Sequence, residues 1–382
     1  MDFHNIIFNL ILQVVDNEDG HRLIYYTPCS GIWQSVWMEA VESSCFVAGT
    51  RVTTDIDAGI LDMMVDVEMM DFCGLQSYRL SVLDGSSVIT EATGQIDDDV
   101  WKISTPLPME NMMLWSPENP KLYNYSLEIY NDAQERVDMV SGYFGMRKIE
   151  IRTVGKFERF FLNNELLPFQ LGPLDQGYWP DGIYSAPSEE AMLWDLEQTR
   201  DLGFNMVRKH VKVEPGRWYY ATDRLGLLVW QDFPAISTKY NGQIEDMAEA
   251  QEQFGQEWRE WMHERFNHPS IIVWVVYNEG WGQHQTAEVT AQVTTADPSR
   301  LVDSASGWTD YGVGHLRDYH VYPGPCIVDG GCLPSSPGRR EVEQKYITCH
   351  RTCHGGWRAV GPEKVDPRAQ LVRGPVPHSW TD

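Results

Sequence analysis

Six consecutive apolar residues, Ile271, Ile272, Val273, Trp274, Val275 and Val276, run without a break into Tyr277, Asn278, Glu279 and Gly280. A stretch that never alternates has no face to give to water, so it reads as a strand buried on both sides. Parallel sheets covered by helices require such strands. In a barrel of alternating strands and helices, reactive side chains stand at the carboxyl ends of the strands, where Glu279 falls. A competing reading leaves Glu279 as an acid in the first turn of a following helix, favoured there by the helix dipole.

The neighbouring segments repeat the strand-then-helix rhythm. Leu166 to Gly172, Phe204 to Arg208 and Leu227 to Gln231 read as three earlier strands. Between them, apolar Met192, Leu193 and Leu196 mark a helix over 189–202, and a second helix over 217–226 is stopped by Gly226. A third helix, over about 244–266, carries Phe254, Trp258, Met262 and Phe266 every four residues, with Trp261 beside them, a stripe that reads as core packing. After a helix near 284–295, strands five and six are expected at 301–303 and 318–322. A closed barrel needs eight such units, so this one is read as incomplete.

Before residue 149 the pattern is different. Short alternating stretches such as Tyr78 to Leu83, ending at Asp84 and Gly85, predict an antiparallel β-sandwich over 46–148. Residues 26–39 alternate after Gly31 as a half-buried strand should.

The stretch from Asn267, His268, Pro269 and Ser270 through Tyr277, Asn278, Glu279 and Gly280 resembles the acid/base signature of family 2 glycoside hydrolases. That family holds β-galactosidases, β-glucuronidases and β-mannosidases. Trp115 to Tyr123 and Tyr143 to Lys148 resemble the immunoglobulin-like domain that precedes its barrel and supports it. The resemblance covers about residues 26–325 and implies a multidomain chain. In that chain a remnant of a β jelly roll (1–45) precedes an immunoglobulin-like β-sandwich (46–148), an incomplete (β/α)8 TIM barrel (149–325) and an atypical tail (326–382).

What the resemblance implies for chemistry is a retaining exo-β-glycosidase acting on terminal β-linked sugars. Retention requires two carboxyl groups about 5–5.5 Å apart, one protonating the leaving oxygen and the other attacking the anomeric carbon. Glu279 is expected as the first, its acidity held near neutrality by Trp274, Tyr277 and Trp281. Asn278 is expected on the sugar 2-hydroxyl. Arg208 matches the family's strand-two arginine, which orders the catalytic carboxylates; a surface ion pair is its bland alternative. His210 departs from the commoner spacing, in which a His stands three residues after that Arg. Asp175, Tyr178 and Trp179 after strand one, Asp232 after strand three, and His320 and Tyr322 at strand six complete the expected pocket, Asp232 resembling the mannosidase branch. Turns also attract Asp and aromatic residues for local reasons. The nucleophile, a Glu ending strand seven, has no candidate: Glu341, Glu343 and Glu363 alone follow Tyr322, and none ends a strand-like run.

With 55 acidic against 30 basic residues the formal net charge is -25, which disfavours nucleic acid and anionic membranes and suits a neutral carbohydrate. No run reaches the ~20 apolar residues of a membrane span, and 6–12 lacks the features of a secretory leader. The native amino terminus is expected to be missing, and compartment and oligomeric state stay open. No cofactor or metal is expected, although some family members bind supporting cations.

The tail reverses the charge balance, with 6 acidic and 8 basic residues over 326–382, and holds four of the seven cysteines. A different coding origin is expected for it, to be checked by sequencing the transcript across Gly324. A zinc site from Cys326, Cys332, Cys349, His350, Cys353 and His354 is the alternative, weakened by the lack of a paired C-x2-C. Cys29, Cys45 and Cys73 read as buried or free thiols. Two further readings stand beside the enzyme: a carbohydrate-binding protein without catalysis, and a chain whose open barrel exposes strand edges and never folds well.

Overall fold

The computed structural model describes residues 32–41, 45–69, 74–96, 100–235, 247–307 and 309–320. Most of the expected jelly-roll remnant, Tyr322 and the tail 326–382 lie outside these residues. Residues 32–41, expected to continue a half-buried strand, form none and are mostly exposed. They dock instead on the barrel, where Gln34 Nε2 donates to Val213 O at 2.9 Å and Ser185 Oγ to Trp33 O at 3.1 Å.

Among the described residues the sandwich has seven strands: β1 (Cys45–Asp55), β2 (Ile60–Met69), β3 (Leu75–Asp84), β4 (Ser87–Gln95), β5 (Val100–Pro106), β6 (Tyr123–Asn131) and β7 (Arg136–Phe144). They form two antiparallel sheets, ordered β1-β2-β5 and β4-β3-β6-β7. Alternation builds the core directly, since Leu61, Met63, Val65 and Val67 of β2 face inward with Tyr123, Tyr125, Leu127 and Ile129 of β6. Cys45 corrects the free-thiol expectation: it is fully buried and disulfide-bonded.

Arg147, at the end of the sandwich, is buried and fastens it to the barrel. Its guanidinium donates to the carbonyls of Pro269, Ser299 and Ile271 at 3.0, 2.7 and 3.0 Å. Gly226 marks a second close approach. Its φ of 69° suits glycine, and a Cβ there would lie 2.5 Å from Pro117 O.

Between sandwich and barrel the sequence reading needs a further correction. Leu166 to Gly172 is not the first barrel strand. β8 (Ile149–Val154), β9 (Phe157–Leu162) and β10 (Glu165–Leu166) form an antiparallel sheet first. Its Ile149, Phe160 and Leu162 pack with Met206, Leu228, Trp230, Val273, Val275 and Leu301, the inward residues of the barrel strands. Apolar side chains of this sheet and of the barrel strands thus form one cluster inside the barrel.

The barrel strands are β11 (Leu174–Asp175), β12 (Met206–Lys209), β13 (Leu228–Asp232), β14 (Ile271–Val275) and β15 (Leu301–Asp303), parallel and adjacent in chain order. Helices α1 (Glu189–Asp201), α2 (Gly216–Leu225), α3 (Met247–Arg265) and α4 (Thr286–Ala296) alternate with them. Ser188 caps α1 by accepting from Ala191 N. The α3 stripe of Phe254, Trp258, Trp261 and Met262 is buried against Phe233, Trp274 and Tyr277. The expected sixth strand is absent over 318–320, where the chain is irregular; only Leu316 makes a parallel bridge, to Asp303.

Candidate active site

Alternation along β12 points Met206 and Arg208 into the barrel and Val207 and Lys209 toward the helices. Arg208 is the inward residue nearest the strand's carboxyl end, and the side chains ending the other strands gather on it. Its Nε and Nη2 donate to Asp232 Oδ1 and Oδ2, each at 2.9 Å, a bidentate pair. Nη2 also donates to Asn278 Oδ1 at 2.9 Å, and Nη1 lies 3.1 Å from His320 Nε2. Burial works against the guanidinium's charge, but Asp232, Asp318 and Asp303 more than reverse that and hold it charged.

Glu279 follows β14 with φ of 50°, a left-handed conformation costing a non-glycine residue about 1–2 kcal/mol. Two backbone hydrogen bonds impose it: Glu279 N donates to Ser306 O and Ser306 N to Tyr277 O, both at 2.8 Å. Strain of this kind collects where a side chain must be aimed. The carboxyl Oε1 lies 2.7 Å from His320 Nδ1, and the side chain is only 11% exposed. His320 Nε2 lies 2.9 Å from Ser306 Oγ, which in turn donates to Asp318 Oδ2. Gly307, with φ of 100°, leaves room for the imidazole; a Cβ there would stand 3.0 Å from the ring.

Five residues singled out in the sequence, Arg208, Asp232, Asn278, Glu279 and His320, therefore meet in one cluster. His210 and Trp281 meet each other edge to face, with ring centroids 5.8 Å apart. Asp175 is placed elsewhere. It pairs in register with Lys209, not Arg208, and binds that ammonium at 2.8 Å. Trp179 sits in the turn after β11, its backbone bridged to Ile183. Tyr322 lies outside the described residues. Trp274 does not line the Glu279 environment as expected: it faces the helices, stacks on Phe233 and donates to Asp297 at 2.9 Å. Tyr277 likewise turns to the helix side and donates to His284 O.

Asp303, Ser306 and Asp318 received no role from the sequence. Asp303 ends β15, so the rule that selected Asp232 also applied to it. Burial first, and then the charge of Asp318, push its carboxyl well above the usual range. Its Oδ2 is buried with no hydrogen-bond partner among the described residues. Ser306 carried no signal, because its position follows from a bridge to Asn278 that only the assembled sheet creates.

Two family models match the chain, one described as glycosyl hydrolases family 2 over residues 45–147 and one as the TIM barrel domain of that family over 184–322. The chain belongs to glycosyl hydrolase family 2. Relatives include a putative β-glucuronidase of Formosa agariphila, 29% identical over 309 residues, and a β-galactosidase of Leuconostoc mesenteroides, 24% identical over 298 residues. These alignments cover 78% and 74% of this chain but 28% of each relative, so the chain spans under a third of their length. The family 2 β-galacturonidase of Eisenbergiella tayi shares the fold with a TM-score of 0.57 at 22% identity, over 69% of this chain and 46% of that one. No described helix is long and apolar enough to cross a membrane.

Proposed function

We propose that this chain carries the acid/base side of a retaining exo-β-glycosidase that removes terminal β-linked sugars. The observation that bears most weight is Glu279, held in a strained turn at a strand end and set against His320, Asn278 and Arg208. Membership of family 2 and similarity to β-glucuronidases and β-galactosidases support the same reading.

In this reading Glu279 protonates the glycosidic oxygen and later takes a proton from the attacking water. Arg208 occupies Asn278 Oδ1, which turns the amide Nδ2 away from the guanidinium as a donor for the sugar 2-hydroxyl. Trp281 and His210 stand on the chain beside these groups and offer ring surface to a pyranose. A nucleophilic carboxylate about 5–5.5 Å from Glu279 is required for the covalent intermediate. The resemblance expects it at the end of a seventh strand, where the sequence offers no candidate, and a chain without it is expected to turn sugar over poorly.

A panel of aryl β-galactosides, β-glucuronides and β-mannosides tests the proposal. Turnover with retained anomeric configuration, reduced at least ~100-fold by Glu279→Gln, is the expected result. Sugar binding without turnover would instead support a carbohydrate-binding protein that keeps the pocket. Turnover untouched by Glu279→Gln would remove Glu279 from the reaction.

A further inference from the structure

We propose that His320 is a tautomer switch coupled to Glu279, with Ser306 and Asp318 as the positioning residues that hold one of its two settings. The inference rests on Glu279 being the acid/base. Two groups compete for one imidazole nitrogen: Arg208 Nη1 at 3.1 Å and Ser306 Oγ at 2.9 Å both reach Nε2. A guanidinium can only donate, so its contact requires a lone pair on Nε2. Ser306 gives its single proton to Asp318 Oδ2, so its contact requires an N–H there. Both cannot be satisfied by one neutral tautomer.

The opposite nitrogen makes the competition matter. Nδ1 lies 2.7 Å from Glu279 Oε1. With the proton on Nε2, the line Nε2–H to Ser306 Oγ and Ser306 O–H to Asp318 is complete, and Nδ1 offers its lone pair to a protonated Glu279. With the proton on Nδ1, the imidazole donates to the Glu279 carboxylate and Nε2 accepts from Arg208. The first arrangement suits Glu279 as an acid, the second as a base. They differ by the one proton that Glu279 hands over or takes back. Passing from the first setting to the second, the ring gives up the proton on Nε2 and takes one up on Nδ1, so its proton count is the same in both.

The surroundings are arranged to keep both settings available. Gly307 N donates to Asp318 Oδ1 at 2.7 Å, which fixes the end of the Ser306 line. Among the described residues, the charged groups around the ring and Arg208 include Asp232 from β13, Glu279 after β14, Asp303 from β15 and Asp318 beside it. Burial and the charge of Asp318 push Asp303 upward, and Asp318 accepts from both Ser306 and Gly307.

The test is nitrogen NMR of the full chain with 15N-histidine, His320 being assigned by its loss in His320→Gln. The expected wild-type result is a change from protonated Nε2 to protonated Nδ1 as pH rises and Glu279 ionises. Ser306→Ala should leave the Nδ1–H form at every pH, and Ser306→Thr, which keeps the hydroxyl, should restore the change. Asp318→Asn serves the same purpose if Ser306→Ala fails to fold. A single tautomer in the wild type, an imidazolium throughout, or a change that survives Ser306→Ala and Asp318→Asn overturns the switch. Because protonation is read directly, a chain with no glycosidase turnover still decides this point, while loss of the glycosidase reading is decided by the aryl glycoside panel.

Discussion

Arg208 and Lys209 are consecutive on β12 and both buried, yet they anchor two different networks. Lys209, facing the helices, binds Asp175 at 2.8 Å and Glu214 at 2.5 Å. Lys212 extends that network, donating to Gly177 O and Tyr184 O at 2.7 and 2.8 Å with Glu214 at 3.0 Å, so all three of its protons are used. Its ammonium also lies 4.3 Å from the Tyr184 ring and 5.1 Å from that of Trp33. Each ammonium on this side is enclosed by acceptors. On the inward side, the Arg208 network leaves Asp303 Oδ2 unsatisfied, contests His320 Nε2 and ends on a strained Glu279. Burial and ion pairing are common to both, so neither marks function; the unresolved demands for protons and partners do.

Removing the anchors is the strongest test of that contrast. Arg208→Met strands the Asp232 carboxylate and Lys209→Met strands Asp175 and takes one of two ammonium partners from Glu214, so each should cost about 3–5 kcal/mol in denaturant unfolding. Sugar affinity should separate them. It should collapse in Arg208→Met and survive in Lys209→Met wherever that protein remains folded; equal losses would erase the distinction.

Stability against pH should run in opposite directions for the two sides. Asp303 has a folded pKa above its unfolded one, so the unfolded chain binds fewer protons and stability falls as pH rises from about 4 through the raised value. Asp303→Asn should flatten that fall. Burial, helped by the charge of Lys209 and opposed by Glu214, pushes Lys212 down to about 8. Its unfolded form therefore binds more protons between about 8 and 10.5, and stability rises across that window. Lys212→Met should remove the rise, and thermal melts from pH 4 to 10.5 read both effects. The smallest change is expected from Trp33→Leu, which loses a ring beside Lys212 and should cost about 1 kcal/mol while leaving sugar affinity unchanged.

Residues placed by strand ends were legible in the sequence, and residues placed by register were not. Arg208, Asp232, Asn278 and Glu279 stand at or just beyond strand ends, where the carboxyl-end rule applies, and the family resemblance singled out Arg208 and Asp232 among such positions. Asp175 also closes a strand, but β11 is two residues long and pairs Leu174 with Arg208, which sends Asp175 to the helix side with Lys209. A shift of one residue would have reversed its face. The antiparallel insertion β8-β9-β10 was hidden because Leu166 and Leu167 look like the start of a barrel strand until the hairpin partners are known.

The amino-acid sequence alone determined the periodicities: alternation that yields a sandwich, unbroken apolar runs that yield parallel strands, and a carboxylate at the end of one of them. Those follow from local chemistry, because a side chain's polarity and its distance from the next apolar residue decide which elements can form. Tertiary structure decided which charges meet. The Asn278 bridge to Ser306, the left-handed turn at Glu279 and the two claims on His320 Nε2 all arise from contacts between β14, β15 and the chain after it, and no local pattern encodes the register that brings them together.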